Sequence, residues 1–151
     1  MFKGFLADNV KISIVSTVTA GAAGTSAVTS SAVDMTGYDG CLFVVPMGAI
    51  VSGAATSLKV QQCATSGGSY ADLTGTNQTI ADTDDDKLFY VDVQNPEKQF
   101  LKLVLSKATQ NATNGGIIAI QYRANSVSNS GITQGTNVSG EKWNMPLEGT
   151  A

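Results

Sequence analysis

Histidine is absent from this 151-residue chain. Its absence removes Ser-His-Asp and Cys-His catalysis, and the commonest metal ligand with them. Charge is scarce as well: Asp, Glu, Lys and Arg make up 14% of the residues, against about 25% in an ordinary globular protein. The 9 Lys and Arg are scattered singly and the net charge is −3, so no basic stripe exists to follow a phosphate backbone and direct nucleic-acid binding is not expected. So little charge also makes a poorly soluble monomer surface, which points to coverage by partner chains. No apolar run approaches the ~18 residues of a membrane span, so no membrane partner is expected. The 2 cysteines, Cys41 and Cys63, fall in separate expected strands without metal-ligand spacing. They read as buried thiols, with a disulfide the alternative if those strands are neighbours.

Serine with lysine remains as a formal catalytic option. Nothing in the pattern sets Lys59, Lys87, Lys98, Lys102 or Lys107 beside a nucleophilic serine at a strained turn, so the expectation is a non-enzyme without a cofactor.

What is abundant is Gly, Ser, Thr, Ala and Asn, the profile of many short strands and turns rather than charged amphipathic helices. The stretch that organises the chain is residues 34–48, DMTGYDGCLFVVPMG, where a polar glycine turn runs into an apolar segment. Both alternating sets there, Leu42/Val44/Pro46 and Phe43/Val45/Met47, are apolar, so this reads as a strand buried on both faces.

Other strands are expected at 10–18, up to Val33, at 58–63, around 70–73 and 78–81, at 88–93, 100–107 and 117–124. Turn signals separate them at the spacing of an antiparallel sandwich or jelly roll. Leu101, Leu103 and Leu105 alternate cleanly with Lys102 and Ser106, and Ile118, Ile120 and Tyr122 with Ala119, Gln121 and Arg123. With the Asn- and Gly-rich turn between them, these two strands are expected to form a long hairpin. The expected core joins residues 41–47 to Phe89, Val91, Leu101, Leu103, Ile118 and Ile120.

The fold expected is therefore all-β, an antiparallel sandwich or jelly roll of about eight strands at residues 10–125, between an N-terminal arm (1–9) and an extended C-terminal arm (126–151). The N-terminus superficially mimics a signal peptide, but Asp8 and Asn9 interrupt its apolar region and Val10/Ile12/Ile14 alternate as a strand does, so it reads as uncleaved. The first arm carries Phe2, Phe5 and Leu6. The second has no sustained apolar alternation, yet it contains Trp143, the only Trp, followed by Met145, Pro146 and Leu147. Large apolar residues clustered at the end of a polar tail suit gripping a neighbour better than filling the chain's own core.

The acidic run at 82–86 is the one candidate metal site. It departs from an EF-hand loop, with Lys87 where the sixth position needs Gly and Val93 where the twelfth needs Glu. A solvated loop is the favoured reading over Ca²⁺ at Asp82, Asp84 and Asp86. Gly67-Gly68 and Gly115-Gly116 lack the order of a phosphate loop and read as turns. Three N-x-S/T triplets, at Asn77, Asn111 and Asn137, carry no meaning without secretion.

Three stretches resemble small structural proteins of tailed bacteriophages: Asp34-Met35-Thr36-Gly37-Tyr38-Asp39-Gly40, Ser66-Gly67-Gly68-Ser69-Tyr70-Ala71-Asp72-Leu73, and FLKLVLSKATQNATNGGIIAIQYRAN. Among these the chain is most similar, over residues 34–123, to the head decoration (cement) proteins of β-sandwich or jelly-roll type. That resemblance implies a viral structural protein on the outer surface of the virion's capsid, with the major capsid protein as partner. It implies a homo-oligomer, commonly a trimer with a dimer as the other option, and terminal arms reaching over neighbouring subunits. Phe2, Phe5, Leu6, Trp143, Met145, Pro146 and Leu147 would then hold the capsid or a sister subunit. The alternative is a carbohydrate- or receptor-binding sandwich of a phage fibre or tail, with Tyr70 and Trp143 as stacking residues.

Overall fold

The structure, a computed structural model, describes residues 4–125 and 132–142. Its strands are β1 (Lys11–Ser16), β2 (Val28–Thr29), β3 (Val33–Asp34), β4 (Tyr38–Ile50), β5 (Ala55–Cys63), β6 (Ala71–Asp72), β7 (Gln78–Ile80), β8 (Leu88–Gln94), β9 (Phe100–Ala108), β10 (Ala112–Asn114) and β11 (Ile117–Ala124). The only helical turns among the described residues are short 3₁₀ pieces at Leu6–Asp8 and Thr19–Gly21. No described helix is long and apolar enough to cross a membrane.

Every strand pairing is antiparallel, and the strands divide into a sheet of five and a sheet of six. In the first sheet the order is β1, β11, β4, β8, with β10 continuing the line of β11 along the same edge of β4. In the second it is β2 and β3 in line, then β9, then β5, then β6 and β7 in line. With the broken strands counted as single ranks, the chain visits positions in the order of an eight-rank jelly roll.

The two sheets enclose one core. From β4 it takes Cys41, Phe43, Val45 and Met47, from β5 Leu58 and Val60, from β9 Leu101, Leu103 and Leu105, and from β8 Val91 and Val93. Alternation explains this directly: each of these sets is every second residue of a pleated strand, and the pleat sends it to one side.

Three expectations fail. First, β9 and β11 do not form a hairpin. β9 lies between β5 and β2/β3, whereas β11 lies between β1 and β4 in the other sheet. The Asn- and Gly-rich turn crosses between sheets, helped by Thr109 in a left-handed conformation (φ 68), and turn composition alone does not distinguish a crossing from a hairpin.

Second, β11 faces the opposite way. Ile117, Ala119 and Gln121 are buried, while Ile118 and Ile120 are half-buried on the outside. Gln121 is tolerated in the core because its Nε2 donates to the Asp34 carbonyl at 2.7 Å. Third, β4 is not buried on both faces. Cys41, Phe43 and Val45 are fully buried, but Leu42, Val44 and Pro46 are only half-buried.

Candidate binding surface

A sandwich of this kind exposes two outer sheet faces and four strand edges, and the chain's own segments close part of the edge. Beyond β1, the backbone N–H of Gly135 donates to the Ile12 carbonyl at 2.9 Å, and the Ile12 N–H donates to Gln134 Oε1 at 2.7 Å. Gln134 Nε2 in turn donates to the carbonyls of Ala7 and Val10, each at 2.9 Å. One side-chain amide and one backbone amide thus occupy the polar groups that an edge strand would otherwise present to another chain. Gly135 is required for this approach, since a Cβ there would sit 2.9 Å from Ser13 Oγ and 3.0 Å from the Ile12 carbonyl. Lys142 closes the strap on Asp8 at 2.7 Å. That ion pair, through the lysine's hydrogen bond, holds the Asp8 carboxyl below its ordinary pKa.

The outer face of the second sheet is polar. Lys102, Gln61 and Asp72 stand in one register row, and Ser106, Ser57 and Thr79 in another. Asp72 accepts from Lys59 Nζ at 2.8 Å and from Gln61 Nε2 at 2.7 Å, and these bonds lower its pKa. Lys102 places its ammonium 4.3 Å from the centre of the Tyr70 ring, and Tyr70 OH donates to the Ser66 carbonyl at 2.9 Å. Tyr70 therefore has an ammonium on its ring and its hydroxyl bonded, which leaves it poorly placed to stack on a sugar.

The outer face of the first sheet is apolar. One row reads Ile14, Ile118, Val44, Tyr90, and the next Ile12, Ile120, Leu42, Asp92. Pro46 and Leu88 pair beside them. Charge enters at Asp92, which accepts from Tyr122 OH at 2.6 Å. Tyr122 lies over Gly40, where a Cβ would meet its ring at 2.2 Å. Leu88 and Tyr90 of β8 are each 61% exposed. At ~4.8 Å between strands and ~6.8 Å per residue pair, the rows span on the order of 300–400 Å², a size at which an apolar patch marks a binding surface.

Phe5 and Leu6 are exposed on the first 3₁₀ turn. Phe2, Trp143, Met145, Pro146 and Leu147 lie outside the described residues. In the acidic run, Asp82 Oδ2 accepts from the Gly53 N–H at 2.8 Å. Asp84 takes the Ala81 N–H at 2.9 Å and Lys87 at 2.5 Å, and Asp85 takes the Ile50 N–H at 2.6 Å. Asp86 is a left-handed turn residue (φ 58). These carboxylates brace the ends of β4 and β7, and no group of three His, Cys, Asp or Glu suited to a metal forms among the described residues. Cys41 and Cys63 are free thiols in different sheets, and burial pushes the Cys41 thiol up to about 12.

Sequence reasoning missed two features. Lys107 is buried at 4% exposure, its ammonium donating to the Ala22 carbonyl at 3.1 Å and Asn114 Oδ1 at 3.4 Å; burial lowers its pKa. It shares the period of Leu101, Leu103 and Leu105, which was the available signal. The strap by Gln134 and Gly135 left no periodic signal at all. Comparison of the chain with protein-family models, curated proteins and solved structures finds no match.

Proposed function

We propose that the chain is a structural virion protein that binds the outer surface of a phage capsid as a decoration protein and stabilises it. The observation that carries the reading is the asymmetry of the sandwich. One outer face is apolar and ends in the exposed Leu88 and Tyr90, while the opposite face is laced with polar and charged side chains. Such a module has one side to be covered by protein and one to meet water, as a coat on a shell requires. The major capsid protein is the proposed partner, with a sister copy, in a trimer or a dimer, as the second contact. Phe2, Phe5 and Leu6 at one end, and Trp143, Met145, Pro146 and Leu147 at the other, are the arm residues proposed to reach it. A capsid repeats the same surface many times, so even a weak contact gains through multivalency.

Sedimentation with expanded, empty phage heads tests the reading. The full chain should pellet with heads at saturating occupancy, and Leu88→Lys with Tyr90→Lys should reduce that occupancy severalfold while the circular dichroism stays unchanged. Removal of residues 143–151 should weaken binding and leave the sandwich folded. Unchanged occupancy in both variants, or no pelleting of the full chain, overturns it.

A further inference from the structure

The edges of the two sheets are not equally protected. The second sheet ends on short pieces, β2 and β3 on one side and β6 and β7 on the other, and pieces so short make poor templates for another strand. In the first sheet the β1 edge is taken: Gln134 and Gly135 bind Ile12, and the Val15 carbonyl accepts the Ser31 N–H at 2.7 Å. The other edge is β8, an unbroken run of 7 residues that pairs with β4 from Gly40↔Gln94 to Pro46↔Leu88 without a register shift. It carries neither proline nor lysine nor a bulge, the devices that ordinarily blunt an edge.

The pairing fixes which main-chain groups of β8 face outward. The Lys87 carbonyl accepts from the Met47 N–H at 2.8 Å, and the Asn95 N–H donates to the Asp39 carbonyl at 2.7 Å. The odd-numbered residues therefore turn their main-chain polar groups to β4, and Leu88, Tyr90, Asp92 and Gln94 turn theirs away. Among the described residues these outward groups meet a single partner, Gln78 Nε2, which donates to the Tyr90 carbonyl at 2.9 Å. That carbonyl keeps a second lone pair. Leu88 and Tyr90 add exposed apolar side chains to the same strand.

We infer that this edge docks a second copy of the chain: β8 of one copy adds antiparallel to β8 of the other, about a two-fold axis at Val91. An antiparallel edge is complementary to itself under such an axis. The register centred on Val91 sets Leu88 opposite Gln94 and Tyr90 opposite Asp92 of the second copy. All the outward residues then exchange both of their main-chain bonds, and no like charges stand directly opposite. An axis moved to Tyr90 would set Leu88 against Asp92 and leave Gln94 unpaired. Because the axis is perpendicular to the sheet, the two apolar outer faces come to lie on the same side and form one continuous surface. This names the sister contact of the proposed function as a dimer. It does not rest on the capsid, since the isolated chain carries the edge.

Amide hydrogen exchange and sedimentation velocity on the full chain, over one dilution series, test this together. The amides of Phe89, Val91 and Val93 face β4 and should stay protected at every concentration. Those of Leu88, Tyr90, Asp92 and Gln94 should be protected where the chain sediments as a dimer and exchange freely where it is a monomer. Tyr90→Pro removes an outward N–H without touching a bond to β4, a position at which an edge strand accepts proline, and should abolish the dimer. If that variant does not fold, exchange in the unaltered chain decides alone. Protection of the outward amides in a monomer means that the chain closes this edge with its own residues, and overturns the inference. Free exchange of those amides at all concentrations overturns it too, as does a dimer that a folded Tyr90→Pro leaves intact. Loss of head binding would leave these results unchanged, so the two readings fail separately.

Discussion

The two outer faces of the sandwich are built from the same kind of antiparallel ladder, yet they differ in nearly every side chain. On the second sheet, Lys59, Gln61 and Lys102 alternate with the inward Leu58, Val60 and Leu103, so one face is core and the other meets water. On the first, Leu42, Val44, Ile118 and Ile120 occupy the positions where such polar residues would stand. The difference teaches that strand alternation reports burial only where one face is solvated. An apolar outer face makes the pattern ambiguous.

The largest test separates inside from outside along β4. Phe43→Ala removes a fully buried ring and should cost about 3–5 kcal/mol in chemical denaturation. Leu42→Ala, one residue away on the outer face, should cost under about 1 kcal/mol, because a half-exposed side chain leaves no closed cavity. Equal losses would mean that the outer face is as thoroughly buried as the core.

The next effect lies within the apolar face. Gly40→Ala places a methyl 2.2 Å from the Tyr122 ring, so the ring must swing away and release its hydrogen bond to Asp92. An overpacking cost of about 1–3 kcal/mol is expected. A double variant with Tyr122→Ala should recover part of it, and a cost unchanged by that second substitution would show that the clash lies elsewhere.

This contrast also explains how much was legible in the sequence. The leucines of β9 were placed correctly because Lys102 and Ser106 stand between them. The face of β11 was inverted because Ile118 and Ile120 outrank Ala119 and Gln121 in hydrophobicity, while the actual register is set by pairing with β1 and β4. The β9–β11 hairpin failed for a related reason: sheet membership is a long-range property, and a turn of Asn and Gly serves a crossing as well as a reversal. The second face of β4, with Leu42, Val44 and Pro46, is only half-buried, because an apolar alternate set does not by itself bring a second layer onto a strand. The burial of Lys107 is not legible, because a lysine on an apolar period is normally a solvated edge. Its buried acceptors, the Ala22 carbonyl and Asn114, come from distant parts of the chain.

A third effect is confined to the polar side. Burial pushes the Asp34 carboxyl up, but bonds from the Thr36 hydroxyl and amide and from Gln99 outweigh it, and the net shift is downward. A carboxyl lowered in the folded state adds stability that is fully present above its ordinary value of about 3.9 and is lost as pH falls through the lowered value. Thermal denaturation from pH 5 to pH 2 should therefore show a falling melting temperature. Asp34→Asn should flatten that limb, whereas Leu42→Ala should shift the whole profile without changing its slope. A slope unaffected by Asp34→Asn would remove Asp34 from the acid response.

The smallest effects bring the two faces closest together in stability and furthest apart in behaviour. Lys59→Ala breaks an exposed ion pair with Asp72 and should lower stability only slightly, less as salt rises. Leu88→Lys replaces a side chain that is already 61% exposed and should change stability by no more than about 0.5 kcal/mol. In light scattering at high concentration, however, Lys59→Ala should increase self-association slightly, because it removes charge from the solvated face. Leu88→Lys should decrease it, because it puts charge into the apolar face. If both variants scatter like the unaltered protein, the apolar face is not the sticky one, and the asymmetry of the sandwich carries no information about what binds it.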